Sequence, residues 1–509
     1  MLTTALIGLP LFGALAVLLL PAPKEWVGSL ALFFSLAELA LWISGLSRFD
    51  FGSASIQFEH QRPWISDLGI SYHVGLFSFS IWLVGLTAVV MAAAIAYALW
   101  SGRERANAYY ALMLFLTGAI VCVFTAQDLI LFYVAYEAMM IPLYVLIGVW
   151  GGARRLQATF KFVAYTMAGS LLMFATIIVY GLSHGFDLTT AQASGSVWLF
   201  LGFAAAFAVK APLFPLHGWL ADAYRESPAE VSAVLSGVVS KVAVFGFLRI
   251  GLTKFPDSTH DLRTLFLALS AVGLVYGSLL AFRAPDVRGV VAYSSLAQMS
   301  LIGLGIFSQN ELALSGSVLQ MVNHGLISTA LFLLAGVIEM RTSTGVLARL
   351  GGVARGRPIL ASLIVSIGVI SLAVPGSNAF AGEFMILAGA FQRGWGWAIP
   401  GLVAMVLAAM YMLRLISAVL HREVGEAVPK KAPDVRPVEL CVIGALLVAM
   451  LGLSVWPAAI SKHSFACLDQ TQTTSTELNV SLPAQVGLAC VSGQSSTSGA
   501  TNTTTEQAR

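Results

Sequence analysis

The run Val197-Trp-Leu-Phe-Leu-Gly-Phe-Ala-Ala-Ala-Phe-Ala-Val-Lys210-Ala211-Pro212-Leu-Phe-Pro215 is apolar enough to cross a lipid bilayer, yet it holds a lysine and two prolines. A charge near the middle of a membrane helix costs roughly 2.5–3.5 kcal/mol on insertion scales. Proline removes a helical donor and breaks or kinks the helix. Irregular backbone at membrane depth is tolerated only beside protein or a water-filled cavity. The stretch therefore reads as a broken helix carrying a cation kept for a purpose. A second break of the same kind, Val374-Pro375-Gly376, interrupts the unusually long apolar span 358–391.

The rest of the chain agrees with a membrane setting. Of its 509 residues, 58% are hydrophobic and only 10% charged, against roughly 25% charged in an ordinary soluble domain. Apolar runs of about 20 residues, the length that spans a hydrocarbon core, recur along most of the sequence and do not alternate as barrel strands do. The expected fold is an all-α polytopic membrane protein of about fourteen transmembrane helices, the first of them (residues 2–20) retained rather than cleaved. A net charge of +3 gives no reason to expect nucleic acid. There is no Gly-rich nucleotide loop and no cysteine spacing suited to a metal or iron–sulfur cluster.

The two breaks fall in the seventh and twelfth expected spans. Five helices apart, an odd number, they predict two five-helix units inverted across the membrane, each with its own broken helix. The expected organisation is residues 1–106 as three N-terminal helices, 107–252 and 253–421 as the two repeats, 422–460 as a C-terminal helix, and 461–509 as a Ser/Thr/Gln-rich, disordered tail. Basic residues such as Lys24, Arg103, Arg105, Arg154, Arg155, Arg355, Arg357, Lys430 and Lys431 crowd the odd-numbered loops, whereas the even-numbered loops hold few, such as Arg48, Arg62 and Lys254. The bias places the rich loops in the cytoplasm and both termini outside it. Cys467 and Cys490 in the tail are either a disulfide or two unpaired thiols.

Four charged groups stand out in the middle of apolar spans: Glu137, Lys210, Lys241 and Glu383. Together they oppose insertion by on the order of 10 kcal/mol, and titratable groups inside a bilayer are the parts of a proton path. Glu137 needs a cation, and Lys210 is its expected partner. At about 4 Å and an effective dielectric of about 20 the attraction is about 4 kcal/mol, so the geometry of the pair would govern the lysine's proton; a fixed structural ion pair is the alternative. Lys241 has no acid near it in sequence and lies too far from either helix end to snorkel; it would relay a proton from Lys210 through water. His324, among small residues in Met321-Val-Asn-His324-Gly325, is either a relay or a satisfied core histidine. Gln298 can hold a water but cannot titrate. Glu383, after the second break, is the expected terminal acid facing outward, or else a fixed helix–helix contact. Glu38 reads as a helix–helix contact and Arg414 as a snorkelling side chain. His217, Asp222 and Glu226 read as loop residues, Asp222 capping a turn and His217 a possible point of proton uptake.

At these residues the chain resembles the antiporter-like subunits of respiratory complex I, the proton-pumping NADH:quinone oxidoreductase, which are related to multisubunit cation/proton antiporter subunits. The resemblance is carried by Asp128-Leu-Ile-Leu-Phe-Tyr, Glu137, Ile141-Pro142-Leu-Tyr144 through Trp150-Gly-Gly, by Lys210-Ala-Pro-Leu-Phe-Pro215-Leu-His217-Gly-Trp219-Leu-Ala-Asp222-Ala, and by Ala292-Tyr-Ser-Ser295. It covers residues 100–420, and Glu383, where sibling and antiporter subunits usually carry lysine, makes it most similar to the chain-M (subunit 4, NuoM) type. It implies that Glu137 and Lys210 form the family's ion pair, with Lys241 its central lysine, His324 its relay and Glu383 its terminal acid. It also implies a cell inner membrane location and no cofactor in this chain: NADH, flavin (FMN), iron–sulfur clusters and quinone would belong to partner subunits, among them sibling membrane subunits. The chain departs from the family at Gln298, where histidine is common, in Leu220-Ala221-Asp222-Ala223, where Leu-Pro-Asp-Ala is usual, and in its polar tail. These departures leave open a Na+/H+ antiporter subunit or a related membrane-bound hydrogenase complex. A stand-alone solute carrier is disfavoured, since no substrate-sized set of polar residues is present.

Overall fold

A computed structural model describes residues 1–20, 23–190, 193–429 and 433–465. The expectations for the polar tail, for Cys467 and Cys490, and for Lys430 and Lys431 fall largely or wholly outside these residues. The chain is a polytopic helical membrane protein. Among the described residues, twelve helices are long and apolar enough to cross a bilayer, against the fourteen expected. Two more apolar helices, Val197–Lys210 and Pro358–Ser371, are shorter because each stops at one of the proline-bearing breaks.

Two helices form the interior. Ala229–Lys254 and the apolar middle of Glu311–Thr342 are wholly buried within the protein, whereas in the outer helices Leu2–Leu19 and Pro437–Val455 only 39% and 22% of the residues of the apolar stretch are buried, leaving apolar faces for lipid. The inner pair meets at two glycines. A Cβ on Gly325 would lie 2.8 Å from the Gly237 carbonyl oxygen, and one on Gly237 would lie 3.3 Å from that of Gly325. Small residues let membrane helices approach backbone to backbone, and this approach sets how near Lys241 and His324 can come. Two π turns, Leu235–Val239 and Phe247–Gly251, bracket Lys241 on its own helix; such widened turns often mark functional positions.

An all-helical reading omits one element. Gln57–Ile65 and Ile70–Leu76 form an antiparallel hairpin, closed by a turn in which Gly69 takes φ +69°. The segment is too short and polar to span a membrane, and the alternation in Ile70-Ser-Tyr-His-Val-Gly-Leu76 is a strand signal. The hairpin covers one end of the bundle: Gln127 donates its backbone N–H to the His73 carbonyl at 2.8 Å, and Ser71 donates to Asp128 at 3.1 Å.

Several peripheral polar residues differ from expectation. Asp222 and Glu226 lie on the short helix Leu220–Glu226, not in a loop; Asp222 pairs with Lys161 at 2.8 Å and Glu226 accepts from the Arg154 backbone. Arg414 has a fixed partner at the end of a neighbouring helix. Its guanidinium donates to the Phe282 and Ala284 carbonyls and closes the end of the helix Arg263–Arg283, whose last carbonyls have no intrahelical partner. Glu38 makes no polar contact with another helix: it is fully buried and neither carboxylate oxygen has a hydrogen-bond partner.

Glu230, at the start of the Lys241 helix, ties the helix ends together: Arg103 grips it with two 2.7 Å bonds and the Tyr109 hydroxyl donates to it. Glu230→Ala strands both partners and should cost about 3 kcal/mol or more. Asp222→Ala, which removes an exposed pair, should cost under about 1 kcal/mol. Thermal unfolding of the detergent-solubilised assembly checks this ordering.

Candidate proton pathway in the helix interior

Glu137 comes from the helix Leu129–Ala138, which continues as Met140–Trp150 past an irregular turn at Met139. The irregularity follows from Pro142, which has no N–H to offer the Ala138 carbonyl. Asp128 caps the start of this helix, its side chain accepting from Ile130 and Leu131. Glu137 is half-buried, and its Oε1 is buried without a partner.

Lys210 ends its helix because Pro212 cannot donate to the Ala208 carbonyl; the Leu213 N–H takes that oxygen instead, at 2.8 Å. Trp219 Nε1 reaches back to the Val209 carbonyl at 2.9 Å and pins the break. The buried Lys210 ammonium sits 3.5 Å from the centre of the Tyr136 ring and 3.3 Å from the Tyr136 carbonyl oxygen. Thus the two expected partners are neighbours, since Glu137 follows Tyr136, but they are not in ionic contact: no Glu137 oxygen lies within 4.0 Å of the amine. The ring face and a carbonyl take the place of the carboxylate.

Lys241 is buried with no carboxylate against it. Its three donors are matched by three acceptors: the Ser236 carbonyl at 2.5 Å, Ser240 Oγ at 3.4 Å and His324 Nδ1 at 2.6 Å. The Ser236 carbonyl belongs to the π turn just before the lysine. On the far side of the ring, His324 Nε2 lies 3.3 Å from Ser295 Oγ, which bonds Ser236 Oγ at 2.8 Å. Lys241 and His324, placed in order by their sequence positions, are therefore in direct contact, with no water needed between them. Among the described residues no hydrogen bond joins Lys210 to Lys241; there the helices meet through rings, Phe207 and Phe247 lying 5.3 Å apart.

Glu383 stands on the helix Asn378–Arg393, beyond the second break. Gln298 Nε2 donates to it at 2.8 Å, and Gln320 Nε2 donates to Gln298 at 2.9 Å. Gln298 thus holds the acid directly. His324 and Glu383 line one cavity of about 20 Å³, shared with Gln298, Ser294, Ser328 and Tyr411, enough by that measure for about one water. A second cavity of about 10 Å³ lies beside Glu383 and Gln298, against Ser278 and Tyr411. His217 lies in the first break, between the rings of Phe214 and Tyr276, with Nδ1 buried and unpartnered.

The second break is held open by backbone geometry and one amide pair. Gly376 takes φ +96° and Ala373 φ +51°, conformations that favour glycine and are uncommon elsewhere. Asn323, one residue before His324, donates to the Asn378 carbonyl at 2.7 Å, and Asn378 Nδ2 donates back at 3.1 Å. Ser236, Gln320 and this asparagine pair were not singled out in the sequence; a lone serine or amide in a membrane helix gives no signal until its partner is known.

Fold and site together define a polytopic membrane protein with ionisable side chains sealed between two inner helices and two broken ones. Residues 126–412 match the family model described as NADH:quinone oxidoreductase/Mrp antiporter, transmembrane. NADH-quinone oxidoreductase subunit M of Rickettsia prowazekii is 33% identical over 89% of this chain and 94% of its own length. Its counterpart in Rhodobacter capsulatus is 35% identical over 86% and 88%. A chain of respiratory complex I from Thermus thermophilus, solved with bound NADH, superposes with a TM-score of 0.83 at 29% identity, covering 92% of this chain and 98% of that one. The chain belongs to the family of antiporter-like membrane subunits, and within it to the subunit-M (NuoM) type.

Asn323→Ala should leave the Asn378 amide and carbonyl unpaired, at about 1–3 kcal/mol. The expected result is faster amide exchange over residues 372–380, read by hydrogen-exchange mass spectrometry, with exchange in the Lys210 segment unchanged.

Proposed function

We propose that this chain is a membrane subunit of a proton-translocating NADH:quinone oxidoreductase of the cell inner membrane, and that it moves protons along Glu137, Lys210, Lys241, His324 and Glu383. Electron transfer from NADH to quinone, with the flavin and iron–sulfur clusters it needs, takes place in partner subunits. The observation that carries the reading is the 2.6 Å contact between Lys241 and His324 on the inner helices, with His324 and Glu383 facing one cavity. Two inverted five-helix units, 107–252 and 253–421, would each supply one broken helix, and both termini would lie outside the cytoplasm.

The chemistry follows from the donors and acceptors in place. With Lys241 protonated, His324 Nδ1 accepts from it, and the Nε2 proton points to Ser295. Transfer of the lysine proton to Nδ1 gives an imidazolium, and loss of the Nε2 proton toward the cavity leaves a neutral ring protonated on Nδ1; the ring must turn over or exchange that proton to Nε2 before Nδ1 can accept from Lys241 again. Glu383 is the next acceptor across that cavity, positioned by Gln298. Lys241 then needs a new proton from Lys210, and the ring contacts between their helices must part to admit water. His217 in the first break is the proposed point of uptake.

Glu137 and Lys210 provide the control. Held apart, the amine rests on the Tyr136 ring and carbonyl; brought to about 4 Å, the carboxylate would hold the lysine's proton by about 4 kcal/mol. Alternation between these two geometries loads and releases the lysine. A sodium/proton antiporter subunit is the second reading; the acid at position 383, and relatives named as quinone oxidoreductase subunits over most of both chains, favour the first.

Lys210→Ala and Glu137→Ala should each abolish or severely reduce proton pumping while the assembled complex remains present. Electron transfer and proton uptake recorded separately in membranes check this, and full pumping in either variant would remove the switch.

A further inference from the structure

The hairpin end of the bundle holds a second acid–base cluster, outside the membrane-spanning segments and unused by the pathway above. His73, in the strand Ile70–Leu76, is almost wholly buried. Its Nε2 lies 2.5 Å from Glu59 Oε1 on the neighbouring strand, and its Nδ1 lies 3.4 Å from Asp187 Oδ2, in the loop after the helix Arg155–His184. The second is an ionic contact rather than a hydrogen bond, since Nδ1 has no aligned acceptor. A ring with a carboxylate at each nitrogen suits the doubly protonated imidazolium; a neutral ring has one N–H to offer and must face the other carboxylate lone pair to lone pair.

Other charges surround the cluster. Arg249 and Lys254, near the end of the Lys241 helix, act on Asp187, and Lys254 also donates to the Asp187 and Thr190 carbonyls. Asp128 lies beyond the strand, accepting from Ser71. His60, on the first strand, contacts Thr4 instead.

The cluster is wired to both functional helices. Gln127 donates its N–H to the His73 carbonyl, its side-chain oxygen accepts from Arg249 at 2.5 Å, and its own carbonyl accepts from Leu188. Asp128 next to it caps the Glu137 helix. We propose that His73 is a proton-operated latch: as imidazolium it clamps the hairpin to the 185–190 loop and so seats the start of the Glu137 helix and the Arg249 end of the Lys241 helix, and on losing its proton it lets the hairpin loosen.

Burial works against a charge on His73, but the Asp187 and Glu59 contacts more than offset it and hold its pKa above the usual histidine value. Burial likewise opposes ionisation of Asp187, yet the ionic contact with His73 and the hydrogen bonds from Thr189 bring it down to about 2. A proton held more tightly in the latched form stabilises that form at low pH, and the stabilisation is lost as pH rises through the raised histidine value. The latch therefore closes when protons accumulate on the hairpin face and opens when that face turns alkaline.

Hydrogen-exchange mass spectrometry on the intact complex, across the range from about pH 5 to about pH 9, tests this without reference to pumping. After correction for intrinsic exchange, wild-type protection of residues 57–76 should fall in a one-proton step as pH rises, by up to about tenfold per pH unit within the step. Asp187→Asn should move the step to lower pH, and His73→Gln should show weak protection with no step. Wild-type protection that ignores pH, or a step that survives in His73→Gln, would overturn the latch. The wild-type titration stands by itself if a variant does not assemble.

Discussion

An amine buried with no counter-charge against it must find acceptors, and Lys241 finds them in a carbonyl, a hydroxyl and an imidazole. Much of the interior serves that arrangement. A π turn offers the Ser236 carbonyl, and two facing glycines let the inner helices close to the distance at which His324 can accept. Both helices are removed from lipid, so these contacts form where water does not compete and electrostatic effects are strong. The outer helices exist in this sense to keep the inner pair dry and aligned.

The two broken helices play unlike parts around that centre. The first ends on Lys210 and leaves its amine resting on an aromatic face, a contact weak enough to exchange for a carboxylate. The second is held by the Asn323–Asn378 pair, which ties the break to the residue beside His324 and delivers Glu383 to the same cavity as the imidazole. One break thus looks adjustable, the other fixed. That asymmetry suits a path in which control lies on one side and an aligned exit on the other.

Charges inside apolar runs were legible in the sequence because the membrane makes each one costly by itself; Glu137, Lys210, Lys241 and Glu383 needed no partner to stand out. Prolines in the same runs located both breaks. Pairings were harder. Lys210 lies against Tyr136 rather than in contact with Glu137, Gln298 holds Glu383, and Arg414 closes a neighbouring helix. Such contacts depend on how helices are rotated against each other, which hydropathy does not encode. The hairpin was overlooked because 57–76 reads as a polar connection when only membrane spans are sought.

The most direct measurement is the number of protons moved per electron pair by the complex carrying Glu383→Gln. The substitution keeps the side chain's shape and its hydrogen bonding to Gln298 but removes its ability to carry a proton. A conduit through the inner helices predicts an assembled complex whose proton-to-electron ratio falls below that of the unaltered complex. An unchanged ratio would contradict it.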